Sequence, residues 1–204
     1  MPKLRRRCGW VTEDPLYIRY HDEEWGVPVF EDDRRQFEFL VLESAQAGLS
    51  WLTVLRKREN YRKAFRDFDY HAVARFGKRE IKAMLRNPGL IRNRLKIEAA
   101  VHNASAFLQV RAEFGSFSRY AWQFAGGRPV TNRWKTLAQI PPRTPASDAF
   151  SADLKKRGFK FVGSTVIYAH MQALGMVNDH CTGCFRYREV RALAGAPRLI
   201  KACC

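Results

Sequence analysis

The chain has 204 residues, enough for one domain with its own core, and 46% of them are apolar. No uninterrupted apolar run approaches the roughly 18 to 20 residues that a helical membrane span needs, so a soluble protein is expected. Lys and Arg number 36 against 20 Asp and Glu, a formal charge of +16 spread through RKRENYRK (56–63), RNRLK (92–96) and KKRGFK (155–160) rather than gathered in a tail. Such a field draws polyanions, and phosphate neutralisation gives sequence-independent affinity, so nucleic acid is the expected partner.

In chain order, the first folded segment is RCGWVTEDPLYIRYHDEEWGVP (7–28), polar and turn-rich, with Trp10, Tyr17, Tyr20 and Trp25 outside any helical stripe. Aromatics placed so suggest a lined pocket, although core packing is the commoner use of any single one. Phe37, Leu40, Val41 and Ser44 then follow i, i+3, i+4, i+7 after the acidic start EDD (31–33), with Gly48 as the stop, and predict an amphipathic helix. Further helices are expected from Trp51 to about Phe65, briefly after Asp69, through IKAMLR (81–86), and from about Arg92 to Glu113. Another runs from Phe117 to Phe124, where Gly126-Gly127 breaks it. The Pro-rich stretch 128–147 lacks periodicity and reads as a loop. Ser147 and Asp148 cap a helix ending near Gly158, and GSTVIYAHMQALG (163–175) makes an apolar helix closed by glycine. Strand signals are nearly absent, so the expected class is all-α: one domain over 1–187 and a weakly ordered tail over 188–204.

The turn NPGL (87–90) lies between two helical patterns, with Arg92, Arg94 and Lys96 opening the second. A tight turn at Gly89 would aim backbone N–H groups and a helix N-terminus outward, a ready phosphate site similar to a helix-hairpin-helix. Pro-Gly turns between helices are also commonly structural. Glu43 falls one helical turn past Phe39 and Leu40, at the edge of an apolar stripe. A carboxylate there is either functional or paired with a nearby Arg or Lys.

The basic N-terminus MPKLRRR runs into Cys8-Gly9-Trp10 rather than an apolar core, so it does not read as a secretory signal, and a cytoplasmic protein is expected. Cys8, Cys181, Cys184, Cys203 and Cys204 would there be reduced, which turns attention to metal binding. His180 and Cys184 are four apart, and Cys8 with His21 offers a matching pair at the other end of the chain. Two thiolates and two imidazoles form the ligand set of a closed, structural zinc site with no position left for a catalytic water. Spacing alone also allows ordinary reduced cysteines and surface histidines, and it leaves Cys181 competing with Cys184. A site on these residues would close a loop of more than 150 residues and fasten the two ends together.

The strings RCGWVTEDPLYIRYHDEEWGVP, LESAQAGLSW (42–51), RENYRKAF (58–65) and ASDAFSADLKKRGFKFVGSTVIYAHMQALGMVNDHCTGC (146–184) resemble the 3-methyladenine DNA glycosylase I family, from about Arg7 to Cys184. The resemblance implies a helix-hairpin-helix glycosylase-like fold, excision of 3-methyladenine from alkylated double-stranded DNA, and a structural zinc on Cys8, His21, His180 and Cys184. It places the base-binding carboxylate on Glu43 and the pocket aromatics on Trp10, Tyr17, Tyr20, Trp25 and Trp51. The chemistry fits, because methylation at N3 makes the adenine cationic and suited to aromatic faces with one carboxylate. The expected enzyme is a monofunctional monomer that releases the free base. Its rivals are a non-enzymatic, zinc-stabilised DNA-binding protein, which leaves Glu43 and the aromatics unexplained, and a catalytic-zinc hydrolase, which the full ligand set disfavours. The extra cysteine in HCTGC and the tail after Tyr187 depart from the family pattern.

Overall fold

The computed structural model describes residues 5–193. Among these residues ten α-helices occupy Pro15–Glu23 (α1), Asp33–Gln46 (α2), Trp51–Ala64 (α3), Tyr70–Val73 (α4), Lys78–Arg86 (α5), Arg94–Phe114 (α6), Phe117–Trp122 (α7), Pro145–Lys156 (α8), Ser164–Ala173 (α9) and Phe185–Leu193 (α10). Two short strands, Val130–Thr131 (β1) and Val177–Asn178 (β2), pair in parallel, with Val130 opposite Val177. The all-α expectation holds in outline. Among the described residues no helix is long and apolar enough to cross a membrane.

α2 is the central element, with an unbroken buried run from Gln36 to Ala45. It packs on α3, α6, α7 and α9, so its apolar positions cover more of the circumference than one amphipathic stripe. One core cluster gathers Phe37, Leu40, Phe107, Trp122, Phe150 and Ile167 from α2, α6, α7, α8 and α9. A second, smaller cluster holds Cys8, Tyr20, Trp25, Phe39, Leu55, Leu174 and Cys184, and this one builds the site.

Four expectations need correction. Residues 15–23, read as turn-rich, form α1: the Asp14 side chain caps the Leu16 N–H at 2.9 Å and Pro15 enters the first turn, where its missing N–H costs nothing. α8 begins at Pro145, not at Ser147, with Thr144 capping the Ser147 N–H at 3.3 Å. The loop 128–147 contributes β1, whose partner lies beyond α9 and is invisible to local periodicity. The chain from 188 to 193 continues α10, with Val190 buried, where a weakly ordered tail was expected; residues 194–204, with Cys203 and Cys204, lie outside the described residues.

Candidate active site and metal cluster

A cavity of about 350 Å³ opens where α1, α2, α3 and α9 meet, within the size range of small-molecule sites. α1 sends Tyr17 and Tyr20 into it, α2 sends Glu43 and Gln46, and α9 sends Ala169 and Gln172, each pair one helical turn apart. Trp51, the first residue of α3, completes the lining with Trp10 and Trp25. The rings pack on one another: Trp10 lies 5.0 Å from Tyr17 and, edge-on, 5.0 Å from Trp25, while Tyr20 lies 5.3 Å from Trp51. All five aromatics singled out in the sequence therefore converge with Glu43.

Glu43 is 4% exposed, and among the described residues no hydrogen bond or ion pair reaches its carboxylate. Burial alone pushes its pKa up to about 8. Glu38, on the same helix, shows the opposite arrangement. Burial opposes its charge too, but the Arg58 Nε–H bond at 2.8 Å, with the charges of Arg58, Arg35 and Arg62, holds it below the ordinary carboxylate value. The alternative of a paired Glu43 thus falls away. Burial, and then the charge of Glu43, raise the phenols of Tyr17 and Tyr20, which therefore remain protonated donors.

Gln46, Gln172, Leu137 and Ile140 line the same cavity and were not anticipated. Gln46 could have been found as the residue one turn after Glu43, whereas Gln172 is one of several polar residues of α9 and nothing local singles it out. Leu137 opens and Ile140 closes a single 3-10 turn in the Pro-rich loop, where no periodicity marks them.

Behind this wall, one ligand atom each from Cys8, His21, His180 and Cys184 lies within 4.8 Å of the other three, and all four residues are buried. Cys184 Sγ is 3.4 Å from His21 Nε2 and 3.7 Å from His180 Nδ1, and Cys8 Sγ is 3.6 Å from His180 Nδ1. A tetrahedral zinc with Zn–S near 2.3 Å and Zn–N near 2.0–2.1 Å would set sulfur and nitrogen about 3.6 Å apart, so the donor set fits. The outer nitrogens are already occupied: His21 Nδ1 meets Asp22 Oδ1 at 2.7 Å, and His180 Nε2 donates to the Trp25 carbonyl at 3.0 Å. Arg7 fixes Asp22 in turn, with Nη2 at 2.7 Å. These partners leave His21 Nε2 and His180 Nδ1 as the lone pairs facing the thiols, as metal-binding histidines require. Cys181 is not among the four converging groups.

The α5–α6 turn is built against α3. Gly89 approaches Asn60 so closely that an added Cβ would lie 2.7 Å from its Cγ, and Lys57 Nζ donates to the Pro88 carbonyl at 2.8 Å. The Gly89 N–H is taken by Asn87 Oδ1 at 2.8 Å. Arg92 and Arg94 are exposed at the start of α6, Arg94 pairing with Glu98 at 3.3 Å. Lys96 turns inward and donates to the carbonyls of Ala45 at 2.9 Å and Ala47 at 2.6 Å, with burial lowering its pKa. It therefore clamps the loop that joins Glu43 and Gln46 to Trp51 instead of presenting its charge to solvent.

The methyladenine glycosylase family model matches residues 10–187. The chain is 51% identical over 181 residues to DNA-3-methyladenine glycosylase 1 of Escherichia coli K12, covering 89% of this chain and 96% of the relative. It is also similar to a crystal structure of 3-methyladenine DNA glycosylase I, at a TM-score of 0.86 and 52% identity over 88% of this chain and 98% of the other. A third likeness, at a TM-score of 0.85 and 35% identity over 88% of this chain and 96% of the other, is to a variant of another 3-methyladenine DNA glycosylase I in complex with 3-methyladenine. With the aromatic cavity, its buried carboxylate and these matches across nearly the whole fold, the chain belongs to the methyladenine glycosylase family.

Proposed function

We propose that this protein hydrolyses the N-glycosidic bond of 3-methyladenine in alkylated double-stranded DNA, releasing the free base and leaving an abasic site as a step of base-excision repair in the cytoplasm. The observation that carries the reading is Glu43, a buried carboxylate with no partner among the described residues, set at the edge of an aromatic cage. A neutral base gains little there. A flipped, cationic 3-methyladenine supplies the missing counter-charge and offers its faces to Trp10, Tyr17, Tyr20, Trp25 and Trp51.

The same positive charge makes the base its own leaving group. The C1′–N bond breaks with its electron pair going to the base, water adds at C1′, and the water proton leaves to solvent, so no general acid is required. Glu43 acts chiefly in recognition, opposing the charge and accepting from the exocyclic amine. No lysine Schiff base is invoked and the enzyme is monofunctional, working as a monomer. The α5–α6 turn serves as a helix-hairpin-helix element, with Arg92, Arg94 and the backbone around Gly89 against phosphate. Cys8, His21, His180 and Cys184 would hold a zinc ion that is architectural, since four protein ligands leave no open position for chemistry.

Chromatography of bases released from methylated duplex DNA tests the reading. Free 3-methyladenine without strand cleavage is the expected result. No release by folded, metal-replete protein overturns it, and borohydride trapping of the protein on DNA overturns the monofunctional part.

A further inference from the structure

We propose that Phe161, with Lys160 beside it, is a contact for the duplex flanking the extruded nucleotide, an inference that rests on the base-excision reading above. Phe161 has φ +56°, a left-handed conformation that is a genuine outlier for a bulky side chain. The other aromatic in that conformation among the described residues, Phe68, is 1% exposed and stacks on Phe65, so packing accounts for it. Phe161 is 37% exposed, and its ring pairs with no other aromatic among the described residues. The fold gains little from holding this ring as it does.

The backbone around it is nonetheless fixed from three sides. Asn103 of α6 accepts from the Lys160 N–H at 2.8 Å and donates to the Lys160 carbonyl at 2.9 Å. Ser44 of α2 donates to the Phe161 carbonyl at 3.0 Å, and Ser151 of α8 donates to the Val162 carbonyl at 2.6 Å. Asn103, Ser44 and Ser151 are all buried. Strain held by so many restraints is characteristic of functional positions.

The placement indicates the partner. Ser44 follows Glu43 directly, and Gly163 caps α9, whose Ala169 lines the cavity about 9 Å further along the helix. From the same helix that displays Arg92 and Arg94, Lys96 grips Ala45 and Ala47 and, two turns further along α6, Asn103 holds Lys160. A duplex held at those arginines with one base in the cavity would run past the 158–163 loop. There an exposed ring next to an exposed ammonium matches a sugar or base face beside a phosphate.

Phe161→Gly separates this role from a structural one, because glycine relieves the left-handed backbone while deleting the ring. The expected result is an unchanged or higher Tm, an affinity for free 3-methyladenine within about twofold of wild type by tryptophan fluorescence, and a kcat/KM on methylated duplex about tenfold lower or less than that. Phe161→Tyr, which keeps an aromatic face, restores most of the duplex activity. A duplex kcat/KM for Phe161→Gly within twofold of wild type overturns the proposal, as does an equal loss of free-base affinity. If the wild-type protein releases no base at all, the excision reading has failed instead. Equilibrium binding of methylated duplex then decides for Phe161, and equal affinities for wild type and Phe161→Gly overturn it.

Discussion

The Trp25 carbonyl accepts the Nε2–H of His180 at 3.0 Å, and the Trp25 indole stands edge-on to the same imidazole, 4.6 Å away at 80°. One of these residues lines the cavity and the other belongs to the buried Cys/His cluster. Trp10 also packs edge-on to His21 at 5.2 Å, so the cluster is the back of the aromatic wall. A metal ion held by that cluster would support the wall without touching the ligand. Cys8→Ser is accordingly expected to lower the Tm and the bound zinc together, with a stability loss of about 3 kcal/mol or more. The remaining folded protein should keep base-release activity within about tenfold of wild type. Calorimetry alongside elemental analysis checks this, and an unaltered Tm after complete chelation would contradict it.

Glu43 makes both stability and activity depend on pH, in opposite senses. Its carboxyl is raised from 4.5 to about 8 in the folded protein, so the fold binds this proton more tightly than the unfolded chain does. The stability linked to that proton is complete below about pH 4.5 and is lost as pH rises through about 8. Glu43→Gln removes the effect, so its Tm relative to wild type should climb across that window, with an advantage on the order of a few kcal/mol at alkaline pH. Recognition of a cation needs the carboxylate, so kcat/KM of the wild type should rise toward pH 8, whereas Glu43→Gln should be at least 100-fold less active and flat. Parallel melting and excision profiles from pH 5 to 9 provide the check.

Much of this was legible in the sequence, for identifiable reasons. The helix positions followed from apolar spacing, because helices report their buried face within a few residues. α1 was missed because its nine residues carry Tyr17, Tyr20 and His21 toward a pocket and a buried Cys/His cluster instead of one continuous core, which erases the stripe. Asp14-Pro15 was the cap signal that periodicity obscured. Cys8, His21, His180 and Cys184 were recognisable as a candidate donor set, but that Cys181 does not converge with them is a matter of three-dimensional direction that spacing does not carry. Lys96 shows the same limit. Its place in RNRLK marks it as basic, yet only the fold reveals that its ammonium points at the carbonyls of Ala45 and Ala47.

That difference between neighbouring cations is measurable. Arg92 and Arg94 are exposed, so Arg92→Ala or Arg94→Ala should weaken duplex binding and reduce the slope of log K against log salt by about 1 each. Lys96→Met should leave the slope unchanged, because its charge is already committed to two carbonyls, while loosening the turn between Gln46 and Trp51. Its expected signature is a lower kcat and a lower affinity for the free base, with the salt dependence of wild type. Titration of duplex binding across 50 to 200 mM salt distinguishes the two, and a reduced slope for Lys96→Met would return that residue to the phosphate-binding set.

Two glycines test how the C-terminal end of α9 meets the chain around Trp25. Gly175 has φ +65°, and a Cβ there would lie 2.4 Å from both Val27 C and Pro28 N, backbone atoms that cannot step aside. The adjoining hydrogen bonds, Gly26 N–H to Gln172 O at 3.1 Å and Val29 N–H to Leu174 O at 3.1 Å, hold this junction closed. Gly175→Ala must open it, for a loss of about 2–4 kcal/mol from overpacking and left-handed strain together. Gly26 has φ +80°, but its Cβ would meet the side chain of His180, 3.1 Å from Nε2. That atom is the donor to the Trp25 carbonyl, so Gly26→Ala should displace the imidazole and weaken zinc binding by about 10- to 100-fold, as loss of an outer-sphere partner does. Competition against a chromogenic chelator, beside thermal melts, separates the outcomes. Gly175→Ala should melt early with its metal retained until unfolding, and Gly26→Ala should surrender metal while still folded, because one glycine abuts backbone and the other abuts a ligand.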